Sequence, residues 1–322
     1  MSSMFNKKVF LKSVSLSMSA IVLVSAGLLT GCTTITDIND TDSGIQDKNP
    51  PAVEESNQDK IMPEFIALLG EKAKPDKLIE YIDKNISSVT AKDASTMLEE
   101  LEKAQKDYLP LHEDKYYTGE TIQNSLSKVY KPGFDLNKID DIQDSELKSL
   151  LKETLDMGYK VETAEGMYFP IMNYEYLKIY SPYALEDMKD YIDIMAAETN
   201  KVPAKDAALV IGWDEVVGRA LTQERFISSH GSSAKLESIK ELQKRYITFM
   251  LYGLNNTPLF GYDTKTMDPE AKEAYLKAVK DNGDSDLMQM LSKYIEILKK
   301  SNYKLSDEIE TFRKDAVEGK TP

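Results

Sequence analysis

Seven of the eighteen tyrosines fall within one short stretch: Tyr159, Tyr168, Tyr174, Tyr176, Tyr180, Tyr183 and Tyr191. Tyrosine offers a flat apolar ring with a polar tip and loses little entropy when fixed, which suits stacking on a sugar ring or gripping an extended peptide. Phe169-Pro170 and Ser181-Pro182 add rigid turns to the segment. Tyr168, Tyr174, Tyr176, Tyr180 and Tyr183 are therefore candidate ligand contacts. The competing reading makes them semi-buried core residues whose hydroxyls reach the rim.

Carboxylates are the second source of chemistry. Glu165 and Glu175 lie in the tyrosine segment, with Asp214 as a possible partner. Two carboxyl groups beside aromatic platforms are what a glycan-cleaving enzyme needs. With 54 acids in 322 residues, however, chance pairs are common. Asp214 stands out by position. A helix drawn from Asp206 to Ile227 at about 100° per residue collects Ala207, Val210, Ile211, Val217 and Leu221 on one arc, and Asp214 falls inside it. Glu215, Arg219 and Gln223 lie opposite. A carboxylate on an apolar face is costly unless it is paired, hydrogen-bonded or used. Asp214 is thus expected to be buried, capping a neighbouring helix or pairing with Arg225, or else serving as a functional acid in a cleft.

Other motifs reduce to structure. Ser228-Ser229-His230-Gly231-Ser232-Ser233 sets a nucleophile beside a base, yet it sits between two helical runs and reads as a helix stop and caps. No Gly-x-Ser-x-Gly elbow accompanies it. Two acidic stretches, starting at Asp37 and Asp281, lack the spacing of a calcium loop. With two histidines and one cysteine, a zinc site of the His/Cys kind is not expected, nor is any other metal or cofactor.

That one cysteine closes the N-terminal segment. Lys7, Lys8 and Lys12 precede an apolar, small-residue run from Val14 to Leu29, followed by Leu29-Thr30-Gly31-Cys32. This is the layout of a secretory signal. Its last four residues resemble a bacterial lipobox, the motif of the lipoprotein signal peptide. The resemblance covers residues 1–32 and implies export, acylation of the Cys32 sulfur, and cleavage between Gly31 and Cys32. Several acyl chains on one residue give durable anchoring at about 0.8 kcal/mol per buried methylene. The alternative, an uncleaved membrane-spanning anchor, is disfavoured by four serines between Ser13 and Ser19.

Residues 1–31 carry three lysines and no acid, which leaves 37 basic against 54 acidic residues from Cys32 onward, a net charge of −17. A nucleic-acid partner is excluded on that balance, since phosphate contacts need a basic footprint. At 41% hydrophobic residues the chain is expected to build a packed core.

These residues must be positioned by helices. Residues 33–60 are acidic, broken by Gly44, Pro50 and Pro51, and read as a flexible tether spanning on the order of 30 Å. From Ile61 the apolar period is helical. Leu78, Ile82 and Ile86 share a face, as do Met97, Leu101, Ala104 and Tyr108, then Leu147, Leu150, Leu151 and Leu155, and later Leu287, Leu291, Tyr294 and Leu298. Thr90, Asp268 and Ser306 stand as N-caps. No alternating run exceeds about four residues, and no Asn-Gly or Asp-Gly turn joins two apolar runs. The expectation is one compact all-α domain over residues 61–322 with about ten helices, and a possible subdivision near 131–145.

Taken together, these readings point to a lipid-anchored, extracytoplasmic binding or scaffold protein of the bacterial envelope. Its partners would be the membrane, through Cys32, and a peptide, wall fragment or envelope protein held by the tyrosines. Two alternatives remain: a wall-glycan-acting enzyme using Glu165 or Asp214, and a purely structural envelope protein.

Overall fold

Caps and apolar stripes set the helices. Thr90 accepts a hydrogen bond from the Asp93 amide at 3.1 Å while its hydroxyl donates to the Asp93 carboxylate at 2.7 Å, an N-cap reinforced by a side-chain bond. Asp268 accepts from the Ala271 amide at 2.9 Å, with Pro269 at the first helical position. Ser306 and Ser285 cap in the same way. The computed structural model describes residues 57–118, 120–130, 136–282 and 285–320. Gly31, Cys32 and the tether up to residue 56 lie outside the described residues.

The described chain is all-α, with twelve α-helices among the described residues. In order these are α1 (Asn57–Gly70), α2 (Pro75–Asn85), α3 (Ala91–Tyr117), α4 (Glu120–Val129), α5 (Ser145–Asp156), α6 (Tyr174–Leu177), α7 (Glu186–Asn200), α8 (Trp213–Ser229), α9 (Leu236–Tyr252), α10 (Pro269–Asp281), α11 (Asp286–Lys300) and α12 (Asp307–Val317). The first described helix includes Asn57 to Lys60, four residues that the sequence assigns to the tether.

Three short antiparallel hairpins interrupt the helices. They are β1 (Tyr159–Ala164) with β2 (Met167–Met172), β3 (Ala204–Lys205) with β4 (Ala208–Leu209), and β5 (Gly253–Leu254) with β6 (Thr257–Pro258). The first turns through Glu165 and Gly166 at φ 51° and 76°, and the second through Asp206 and Ala207 at φ 50° and 56°. Two-residue hairpin loops need positive φ, and glycine or asparagine signals it in a sequence. Here Glu165 and Ala207 adopt it without that signal. Ala207 is held from outside the loop: its carbonyl accepts from the Asn256 amide at 2.8 Å, and the Asp206 carbonyl accepts from Asn256 Nδ2 at 2.6 Å.

The described residues form one compact unit. The main core runs through α1–α3 and α7–α12. A smaller core gathers Ile122 and Leu126 from α4 and Leu147, Leu150 and Leu151 from α5. Tyr116 from α3 and Val161 from β1 complete it. Within the polar stretch near 131–145, Ile139 and Ile142 are buried in this second core.

Gly158 joins α5 to β1 at φ 73°. A Cβ there would stand 2.3 Å from Gln105 Nε2, which donates to the Met157 carbonyl at 2.8 Å. Only glycine meets both the dihedral and the close approach.

Candidate functional site

The tyrosine segment is divided between elements and mostly turned inward. Tyr159, Tyr174, Tyr180 and Tyr191 are buried, Tyr168 and Tyr176 half-buried, and Tyr183 exposed. The hydroxyls of Tyr159, Tyr174, Tyr176, Tyr180 and Tyr191 are already engaged. Tyr174 and Tyr191 both donate to Glu102 Oε1, the latter at 2.5 Å. Tyr180 donates to Asp83 at 2.6 Å with the Tyr176 hydroxyl 3.2 Å away. Tyr168 packs edge-on to Tyr130 with ring centroids 5.0 Å apart. Tyr168, Tyr174, Tyr176, Tyr180 and Tyr183 therefore do not make one aromatic surface.

The three singled-out acids also lie apart. Glu165 sits exposed on the β1–β2 turn. Glu175, exposed on α6, accepts from Asn200 Nδ2 at 2.7 Å and lies 3.1 Å from Lys178 Nζ; these bonds hold its carboxyl below the usual range. Asp214 is exposed, not buried. The expected helix from Asp206 actually begins at Trp213, because residues 204–209 form a hairpin. Including Ala207, Val210 and Ile211 on the wheel turned the apolar arc by about a third of a turn. The true buried face is Trp213, Val216, Val217, Ala220, Gln223 and Phe226. Asp214 instead supplies negative charge to the first turn of α8, where the helix dipole favours it. Arg225, its expected partner, donates to Thr222 Oγ1 at 2.9 Å.

The same phase correction exposes a site. On α7, Asp190, Asp193, Ile194, Ala197 and Glu198 follow one stripe at three- and four-residue spacing. On α8, Arg219, Thr222, Gln223 and Phe226 do the same. The two stripes enclose a groove of about 460 Å³, within the range of about 300–1,000 Å³ typical of small-molecule sites. Ile194 and Phe226 give it an apolar floor.

One end of the groove is closed by a tight ionic network. Arg219 donates to Glu198 Oε1 and to the Tyr246 hydroxyl, both at 3.2 Å, to the Lys201 carbonyl at 2.9 Å and to Glu215 at 2.6 Å. Tyr246 donates to Glu198 at 2.6 Å. Burial raises the Glu198 carboxyl above its ordinary range, and its bonds to Tyr246 and Arg219 only partly offset that. At the other end His230, the residue after α8, meets Asp190 at 2.7 Å.

Gln223 lies between these ends, fully buried, and neither Nε2 nor Oε1 has a hydrogen-bond partner. An unpaired buried polar group costs about 1–3 kcal/mol. Placing Gln223 on the polar face of the mis-phased helix hid it. The signal that could have found it was its seven- and three-residue spacing from Val216 and Phe226.

A second buried acid also escaped the sequence pattern. Glu102 on α3 is 4% exposed and lies 2.6 Å from Lys235 and 2.7 Å from Lys106, besides the two tyrosine hydroxyls. Burial acts to raise its pKa, but the two lysines prevail and bring it down to about 2. Every oxygen of this carboxylate is satisfied, which marks a structural keystone between α3, α7 and α9 rather than a reactive acid. Among the described residues no cluster of His, Cys, Asp and Glu is arranged to hold a metal ion.

Comparison with protein-family models, with curated proteins and with solved structures finds no match for this chain.

Proposed function

We propose that this chain is a lipid-anchored binding protein of the bacterial envelope, held at the extracytoplasmic face of a membrane through Cys32, with the α7–α8 groove as its ligand site. The observation that carries the binding assignment is Gln223, a buried amide lining the groove with both polar atoms unpaired. Such a group is disfavoured in a purely structural core and is retained where a partner completes it. The anchor rests on Leu29-Thr30-Gly31-Cys32 behind a basic and apolar leader. No helix among the described residues is long and apolar enough to cross a membrane. The acidic mature chain favours a neutral or cationic ligand over a polyanion. A wall-glycan enzyme built on Glu165 or Asp214 gains nothing from their positions, on a hairpin turn and at a helix start with no shared partner.

Two experiments test the two halves. Intact-mass analysis of the mature protein should show an acylated Cys32 at its N-terminus, and Cys32→Ala should leave the protein unprocessed or released from membranes. An unmodified peptide running through Gly31-Cys32 would refute the anchor. For the groove, the protein is dialysed against the low-mass fraction of an envelope extract. Wild type should retain a compound that Ala197→Trp, which fills the groove from the exposed face of α7, does not. Equal retention by both, or none by wild type, refutes the site.

A further inference from the structure

We propose that the α7–α8 groove recognises a secondary amide, either the peptide group of a polypeptide or the N-acetyl group of an amino sugar, and that Gln223 is the residue that reads it. This rests on the groove being the ligand site.

The argument is one of complementarity. A carboxamide holds a donor and an acceptor side by side. Both are unpaired in Gln223. A carboxylate or phosphate would satisfy only Nε2, and an ammonium only Oε1. A secondary amide, with its own N–H and C=O, satisfies both. An anion is further disfavoured because the buried arginine that lines the groove is already occupied: Arg219 is closed off by Glu198, Tyr246, Glu215 and the Lys201 carbonyl. The apolar floor of Ile194 and Phe226 suits the methyl or side chain beside such an amide.

The amide of Gln223 now sits beneath the groove surface, with neither polar atom reached by solvent. It has no hydrogen bond to break on leaving. Rotation of its side-chain dihedrals, with α8 unchanged, lifts it to meet a ligand. Each hydrogen bond then gained replaces an unpaired buried group, so binding and rearrangement reinforce one another.

The test uses three probes followed by NMR on the purified chain: N-acetyl-trialanine amide, the same peptide with its central amide replaced by an ester, and N-acetylglucosamine. The amide peptide or the sugar should shift the Gln223 side-chain NH₂ resonances together with the Ala197 and Thr222 backbone amides. Which of the two does so identifies the source of the amide. If the peptide is the ligand, its ester analogue should bind about tenfold more weakly, the effect of one lost hydrogen bond. Gln223→Met should remove that discrimination, and for the sugar should remove binding. If no probe moves the Gln223 NH₂, or if the peptide moves it and its ester analogue binds as well, the amide assignment is overturned. Retention of an envelope compound that Ala197→Trp abolishes would then still support the groove itself, whereas its absence would remove the site as well.

Discussion

Glu102 and Lys235 meet at 2.6 Å although 133 residues separate them, and their side chains are 5% and 13% exposed. The pair ties α3 to the start of α9, and the hydroxyls of Tyr174 and Tyr191 complete the carboxylate. Lys235 also lies 5.1 Å from the centroid of the Tyr191 ring, so the cation is held by charge and by the aromatic face. Glu102→Gln preserves shape and an acceptor oxygen but leaves the ammonium buried without a countercharge. It should cost about 3–5 kcal/mol of stability. Urea denaturation checks this, and a loss below about 1 kcal/mol would contradict the keystone role.

Acid should unfold the protein in two stages. Burial lowers the His112 imidazole from 6.5 to about 4, against the opposing pull of Glu153. Its Nε2 meets Thr154 Oγ1 at 2.8 Å while Nδ1 has no partner, so a second proton would be buried unpaired. For Glu102 the folded value is about 2 against 4.5. Both folded values lie below the unfolded ones, so the unfolded chain takes up protons first. The stability from each group is present at pH 7 and is lost as pH falls, from 6.5 to 4 for His112 and from 4.5 to 2 for Glu102. Each contribution is on the order of 3 kcal/mol. Denaturation curves at pH 7, 5 and 3.5 should show the decline, and His112→Met should flatten its upper stage. Constant stability from pH 7 to 4 would contradict the assignment.

Gly158→Ala should destabilise the fold by about 2–4 kcal/mol. The left-handed backbone contributes about 1 kcal/mol of that and the collision with Gln105 the remainder. Gln105→Ala on the same background should recover part of the loss by making room for the methyl group, which a double-mutant cycle measures.

Much of the fold was legible because the chain writes its helices in apolar stripes and caps. Leu287, Leu291, Tyr294 and Leu298 are all buried, as their spacing requires, and Thr90, Asp268 and Ser306 cap where expected. The hairpins were not legible, because Glu165 and Ala207 take up positive φ without being glycine or asparagine, Ala207 with its carbonyl held by the distant Asn256 amide. One of those hairpins and the two residues that follow it supplied three false members, Ala207, Val210 and Ile211, to the α8 wheel, which moved Asp214 inward and Gln223 outward. Glu102 was hidden for another reason: its partners lie 4, 72, 89 and 133 residues away, and all but Lys106 are beyond the reach of local spacing.

Gln223→Met should raise stability by about 1–2 kcal/mol, since it removes two unpaired polar atoms from the interior at nearly constant volume. Thermal denaturation measures it. A gain in stability coupled to loss of ligand is the signature of a residue kept for binding. A loss of stability would show that the amide is satisfied in the folded core.

The most direct test of the central claim is a backbone NMR titration of the chain with the low-mass peptide and sugar fraction of an envelope extract. The account predicts shifts concentrated at Ala197, Thr222, Gln223 and Phe226, the residues facing one another across the α7–α8 groove. Shifts centred instead on Met167 and Tyr183, two exposed members of the tyrosine-rich segment, or no shifts anywhere, would contradict it.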